Sequence, residues 1–413
     1  MKALRNYIDK IKPHFEKGGK LHMLHSVFDG FETFLFVPNH TSRSGVHMHD
    51  ARDSKRTMIL VVVALIPALL FGMFNIGYQH NLAIGIDPGF WETFIFGLLA
   101  FLPQLIVSYG VGLGIEFVTA QYRGEEIAEG FLVSGILIPM IMPVDTPLWM
   151  IGVSTAFAVI FAKEVFGGTG FNVFNVALIA RAFLFFAYPS HMSGDQVFVR
   201  TAGTFGLSNP QMIDGVAQTV DGFSGATMLG QLAITDAPNF TEFSFHSITG
   251  GQASLMDMFL GFIPGSVGEV STLAILIGAA LLIITGVGSW KTMLSVFLGG
   301  GAVILLINQF AANAIMGMPP LYHFVLGGFA FGAVFMATDP VTSSRTEKGK
   351  WIYGFLIGAL AIAIRVFNPG YPEGMMLAIL FMNAFAPLID FYVIDGNIKK
   401  RLKRSAIKNH ERV

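Results

Sequence analysis

The 413-residue sequence contains no cysteine, which excludes disulfides and the thiolate ligands on which nearly every iron–sulfur cluster depends. Any redox chemistry must use a cofactor held by other groups. Charge is also scarce: Asp, Glu, Lys and Arg make up 13% of the residues, against 53% apolar ones and a mean hydropathy of +0.61. That balance excludes a string of soluble domains and points to an integral membrane protein in a lipid bilayer. The 26 basic and 27 acidic residues leave a net charge of -1, so no basic excess is available to hold nucleic acid. The first 56 residues are polar and contain no apolar h-region. No cleavable signal peptide is expected, and insertion is expected to begin at the first spanning helix. What the chain has in quantity is 47 glycines and 40 phenylalanines, a mixture suited to helices that approach closely through small residues and present large rings to lipid.

A spanning helix needs roughly 20 apolar residues, and ten segments reach or approach that length. They run near 57–77, 93–120, 128–142, 147–162, 171–188, 270–289, 292–310, 321–337, 351–367 and 374–395. The third and fourth are short and flank Pro143-Val144-Asp145-Thr146-Pro147, which predicts broken or tilted helices meeting at a turn. Cytoplasmic loops are enriched in Lys and Arg. Ten spans with both termini cytoplasmic put 23 of the 26 basic residues on that side, leaving only Arg181, Arg200 and Arg365. The expected organisation is a cytoplasmic N-terminal segment (1–56), a first five-helix repeat (57–188), an outer, periplasmic loop (189–269), a second five-helix repeat (270–395) and a basic cytoplasmic tail (396–413).

The repeat rests on a sparse pattern. Met142-x-x-Asp145 and Met336-x-x-Asp339 close the third and eighth segments, and Trp149-x-x-Gly152 and Trp351-x-x-Gly354 open the fourth and ninth. Val165-Phe166 and Val366-Phe367 end those segments, and Ala177-Leu178-Ile179 and Ala378-Ile379-Leu380 follow twelve residues after each valine. Five spans per half is an odd number, so the halves are expected to be inverted, an arrangement that commonly places a site near the midplane. Recurrence by composition is the competing reading.

Charges at membrane depth cost about 2.5 to 3.5 kcal/mol on the insertion scale and so suggest function by default. Glu116, Arg181, Arg365 and Asp390 qualify. Snorkelling or structural pairing is the alternative for each. Lys163-Glu164-Val165-Phe166-Gly167-Gly168-Thr169-Gly170-Phe171-Asn172-x-x-Asn175 offers free backbone amides and two side-chain amides that can grip a polar ring edge or a cation. A tight turn explains it too. The turn Ala337-Thr338-Asp339-Pro340-Val341-Thr342-Ser343-Ser344 can cap a helix or offer oxygen ligands to a hard cation. His47-x-His49-Asp50 lacks the spacing of a metal site and reads as solvated chain.

Asp221-Gly222-Phe223-Ser224-Gly225-Ala226-Thr227 lies in the long loop. Its small residues leave the threonine hydroxyl sterically open. Threonine is a poor nucleophile unaided, so modification would need a dedicated enzyme, and an Asp-Gly turn followed by a Thr-capped helix accounts for the same residues.

This segment resembles the Asp-x-x-Ser/Thr-Gly-Ala-Ser/Thr recognition motif of bacterial flavin transferases, matching at every fixed position. The chain as a whole resembles the NqrB family, a membrane component of sodium-translocating NADH:quinone oxidoreductases. Besides the flavin motif, the likeness is carried by Lys163 to Gly170, Phe329-Ala330-Phe331-Gly332, Phe335-Met336-Ala337-Thr338-Asp339-Pro340-Val341, and Tyr371-Pro372-Glu373-Gly374-Met375-Met376-Leu377-Ala378-Ile379-Leu380. The related RnfD proteins of the Rnf complex share the flavin motif and the Ala-Thr-Asp-Pro turn but begin almost at their first span; the 56 residues here favour NqrB. A non-redox channel is the alternative of a different class.

The resemblance implies an all-α polytopic protein, similar to urea transporters, of two inverted five-helix repeats in the bacterial inner membrane. It implies a translocase component in a six-subunit complex, with NADH oxidised on another subunit. Covalent FMN is expected on Thr227, with Asp221, Ser224, Gly225 and Ala226 as the recognition motif read by the flavin transferase. Noncovalent riboflavin is expected at Asn172 and Asn175, quinone near Gly112, and sodium near Glu116, Asp339 and Asp390.

Overall fold

The computed structural model describes residues 2–15, 19, 21, 25, 28, 32, 54–124, 130–193, 197–207, 212, 213, 216, 217 and 219–410. Most of the expected N-terminal segment, including His47, His49 and Asp50, lies outside these residues, as do Asp195, Ser208 and the last three positions.

Among the described residues, six helices are long and apolar enough to cross a membrane: Thr57–Ile84, Phe90–Arg123, Leu148–Phe166, Trp290–Asn308, Glu347–Phe367 and Met375–Ser405. Three more are apolar but shorter: Phe131–Ile141, Val176–Ala187 and Thr272–Ile284. Against the expected ten spans, the described residues hold six span-length helices, and the other four segments are short or broken. The reasons are local. Pro143 stops the helix that ends at Ile141. The fifth segment becomes helical only at Val176, because the glycine turn before it is not helical and Asn175 caps the start.

The eighth segment departs most from a continuous helix. It forms Pro320–Val325, then breaks and resumes at Phe329–Phe331 with a wide π turn over Gly332–Met336. Gly327 at the break has φ +66°, a conformation that side chains rarely adopt. The carbonyls freed by the break must find donors, because lipid supplies none. Fully buried Arg365 provides them, donating from Nη1 to the His323 carbonyl at 2.6 Å and from Nη2 to the Leu326 carbonyl at 3.2 Å.

A second irregular stretch lies opposite. Residues 261–271 are almost continuously buried yet non-helical. Asn75 Nδ2 donates to the Ile263 carbonyl (2.9 Å), Ser266 Oγ to the Ile141 carbonyl (3.2 Å), and the Gly268 N–H to the Met140 carbonyl (2.8 Å). By sequence, most of this stretch belonged to the exposed loop; it is packed into the bundle instead.

Small residues set the closest helix contacts. A Cβ on Gly97 would fall 1.7 Å from the Met73 carbonyl oxygen, and one on Gly358 would fall 1.9 Å from that of Val296. These two contacts join Ser54–Ile84 to Phe90–Arg123 and Trp290–Asn308 to Glu347–Phe367 with backbone against backbone. Strand structure among the described residues is confined to Met212–Ile213 paired antiparallel with Val216–Ala217.

Contacts between connections fall into two sets. In one, the Val220 N–H donates to the Ala83 carbonyl (2.9 Å), Arg200 lies 3.7 Å from Asp145, and the Ala314 N–H donates to the Ala237 carbonyl (3.2 Å). In the other, Arg123 pairs with Glu164 at 3.1 Å, Asn175 with Asp339 at 3.2 Å, and Lys291 with Glu347. Thr227 belongs to the first end of the bundle, Asn172 and Asn175 to the second.

Candidate functional site

The Asp221-Gly222 turn is present. Gly222 has φ +76°, and Phe223 packs on Ala83, Val199 and Ile248, anchoring the motif to the end of the Ser54–Ile84 helix. The Ser224 N–H donates to the Ile248 carbonyl at 3.2 Å. Thr227 then caps the short helix Met228–Ala233, its Oγ1 accepting from the Gly230 N–H at 3.1 Å. Met228, Leu229 and Leu232 are each 2% exposed and fasten that helix to the core. The Gln231 side chain donates to the His246 carbonyl (2.8 Å) and accepts from the His246 N–H (3.0 Å), closing the loop over it. Asp221 is exposed. On the same loop, Ser254 donates from its hydroxyl and its N–H to the Asp257 carboxylate, holding that group below the usual carboxylate range.

Half-buried Thr227 opens onto a cavity of about 940 Å³ whose wall includes Phe185, Ser224, Phe243, His246, Tyr371 and Glu373. That is within the range of a site for a cofactor-sized molecule, roughly 300 to 1,000 Å³. The cap uses one lone pair of Oγ1, which an ester oxygen keeps, so capping and attachment of a phosphate at Thr227 are compatible.

Beneath this cavity lie charges. Arg181, buried on the Val176–Ala187 helix, donates to the Glu269 carboxylate at 2.6 Å and to the Glu373 carboxylate. Glu269 comes from the buried irregular stretch and Glu373 from the turn before the Met375–His410 helix. A smaller cavity of about 20 Å³ touches Thr227, Glu269, Glu373 and Gly327.

At the opposite end, the π turn Ala158–Lys163 delivers buried Lys163 to buried Glu116, and the two form an ion pair. A π turn inside a helix often marks a functional position. Lys163 also lines a cavity of about 80 Å³ with Thr169, Asn172, Asn175, Thr338 and Asp339. Asn175 bridges the halves: Oδ1 accepts from the Leu178 N–H (3.2 Å) and Nδ2 donates to Asp339 Oδ2 (3.2 Å). Asn172 Nδ2 donates to the Phe174 carbonyl at 3.1 Å. The donor set suits the carbonyl edge of a flavin ring, but the volume holds only part of such a ring. A whole flavin there requires the walls to part.

Two findings decide the family. A model of the NQR2, RnfD, RnfE family matches residues 41–399. The chain is also similar to proteins named as the subunit designated B of Na(+)-translocating NADH-quinone reductase. The Chromohalobacter salexigens protein is 44% identical over 427 residues, covering 98% of this chain and 97% of its own. Those of Pseudomonas aeruginosa LESB58 and Neisseria meningitidis serogroup B are each 42% identical over 98% of this chain and 100% and 99% of their own. The chain belongs to the NQR2, RnfD, RnfE family.

Within this family member, the structure brings some expected site residues together and separates others. Asn172, Asn175 and Asp339 share one cavity; Ser224, Ala226 and Thr227 share another. Glu116 meets the first only through Lys163. Asp390 stands apart, accepting from Ser344 Oγ and Thr346 Oγ1 (both 2.6 Å), the Arg345 N–H (2.8 Å) and the Thr346 N–H (3.1 Å). Those bonds fasten a turn to the last helix. Among the described residues no three His, Cys, Asp or Glu side chains converge as metal ligands do. Gly112 is a packing position, since a Cβ there would fall 1.9 Å from the Phe131 ring.

Glu269 and Glu373 are site residues that sequence reading does not single out. The available signal is Glu269 as the lone charge in the apolar run from Phe262 to Ile277, where a carboxylate needs a partner.

Proposed function

We propose that this protein is the membrane component of a sodium-translocating NADH:quinone reductase and carries FMN as a phosphoester on Thr227. The observation that carries this reading is the Asp221–Thr227 motif, whose threonine opens onto a cavity of cofactor size. The names of relatives similar over 98% of the chain support it. In this reading the chain has ten crossings in two inverted halves, with both termini on the cytoplasmic side of the bacterial inner membrane and Thr227 on the outer side. The two sets of contacts between connections agree with that alternation.

A flavin supplies electron acceptance and release, which no side chain of this cysteine-free protein provides. The chain's own residues hold and orient. Thr227 Oγ1 is the point of attachment, and the capped helix and the Gln231–His246 clasp fix where it points. Phe185, Phe243 and Tyr371 give the cavity an apolar wall that limits water. At the cytoplasmic end, Asn172 and Asn175 present amides to a noncovalent riboflavin, with Asn175 held in place by Asp339. Quinone is placed at the same end, near Gly112. Glu116, Asp339 and Asp390 are the candidates for sodium on its way through. Moving each sodium outward against 100 mV costs about 2.3 kcal/mol, so passage must be coupled to electron transfer. The partners are the other subunits of the complex and, during maturation, a flavin transferase.

A denaturing gel tests the reading. Protein made alongside a flavin transferase is expected to give a fluorescent band at the mass of this chain that survives boiling, and Thr227→Ala is expected to abolish it. A dark wild-type band would count for a non-redox channel.

A further inference from the structure

We infer that the Arg181–Glu269–Glu373 triad sets the redox potential of the flavin at Thr227, with Glu373 as the member that faces it. The inference rests on the reading of Thr227 as the attachment point and names residues that reading does not use.

Three observations carry it. First, Glu373 lines both the large cavity and the small one, and both cavities touch Thr227. Glu269 lines only the small one. Second, the triad is shielded from water: the side chains of Arg181, Glu269 and Glu373 are 5%, 8% and 17% exposed. Charges in such surroundings are weakly screened and act over longer distances than at a surface. Third, the triad ties together parts that the chain keeps far apart. Arg181 sits on a helix of the first half, Glu269 on the irregular stretch before Thr272–Ile284, and Glu373 on the turn before Met375–His410. Arg181 thereby makes two salt bridges from the N-terminal helices to the chain after residue 260.

The sign of the effect follows from charge. Reduction adds negative charge to a flavin unless a proton accompanies every electron. A carboxylate on the cavity wall opposes that change, and a guanidinium behind it favours it. Neutralising Glu373 removes opposition and leaves Arg181 with one carboxylate instead of two. Removing Arg181 leaves the two carboxylates with Arg365 as the remaining buried cation beside them, its Nη2 donating to the Glu373 backbone carbonyl at 3.3 Å rather than to either carboxylate. The two substitutions therefore displace the potential in opposite directions, which damage to packing does not do. Glu373 and Arg181 are positioning residues in this account; neither forms a bond to the cofactor.

The test is potentiometric titration of the covalent flavin in the intact complex, for wild type, Glu373→Gln, Glu269→Gln and Arg181→Gln. In-gel fluorescence confirms attachment in each. Glu373→Gln is expected to move the midpoint to more positive values and Glu269→Gln to move it the same way by less. Arg181→Gln is expected to move it to more negative values. Where Arg181→Gln yields no folded protein, the order of the two glutamate variants decides alone. An attached flavin whose midpoint is unchanged or more negative in Glu373→Gln overturns the inference, as does a larger shift in Glu269→Gln. A wild-type chain with no attached flavin overturns the Thr227 reading instead.

Discussion

Asn175 Nδ2 donates to Asp339 Oδ2 at 3.2 Å, joining residues 164 positions apart. The same side chain caps the Val176–Ala187 helix through Oδ1. One amide thus starts a helix, fixes the Ala-Thr-Asp-Pro turn and lines a cavity.

These roles separate by substitution. Asn175→Ala loses the cap, which costs about 1 kcal/mol, and leaves Asp339 without this donor. Asn175→Ser keeps a capping oxygen but does not reach Asp339. Both variants are expected to lose extractable riboflavin while the covalent flavin remains. Thermal unfolding is expected to fall further for alanine than for serine. Unchanged riboflavin in both would remove Asn175 from that site.

Arg365 is expected to contribute strongly to stability. It supplies donors to two carbonyls at the broken eighth segment. Each buried acceptor left unpaired costs about 1 to 3 kcal/mol. Arg365→Met is expected to lower the thermal midpoint sharply in detergent, and Arg365→Lys, with one ammonium for two carbonyls, to fall between. Equal stability of all three proteins would contradict this role.

Glycine at the helix contacts gives a sharper contrast. A Cβ at position 358 meets the Val296 carbonyl at 1.9 Å, whereas one at position 396 meets nothing within 4 Å. Gly358→Ala is expected to abolish the monodisperse peak in gel filtration of membrane extracts. Gly396→Ala is expected to leave it intact.

Long helices were legible because an apolar run of sufficient length needs no tertiary information to be recognised. The breaks were less so. Pro143 announced one, but the interruption at Leu326 depends on Arg365 arriving from another helix to satisfy carbonyls. Residues 261–271 read as the end of a loop because buried coil has no periodicity to distinguish it. The Thr-capped turn at Thr227 was legible from residue chemistry alone. The donors to Asp390 were not: all four come from residues 344–346, far off in sequence. Glu373 was read only as part of a motif, since its pairing with Arg181 exists only in three dimensions.

The most direct measurement is peptide mapping by mass spectrometry of the chain purified from cells that carry a flavin transferase. The peptide containing Thr227 is expected to carry one FMN through a phosphoester, and the corresponding peptide of Thr227→Ala to carry none. An unmodified Thr227 peptide, or FMN on a different residue, would contradict the account.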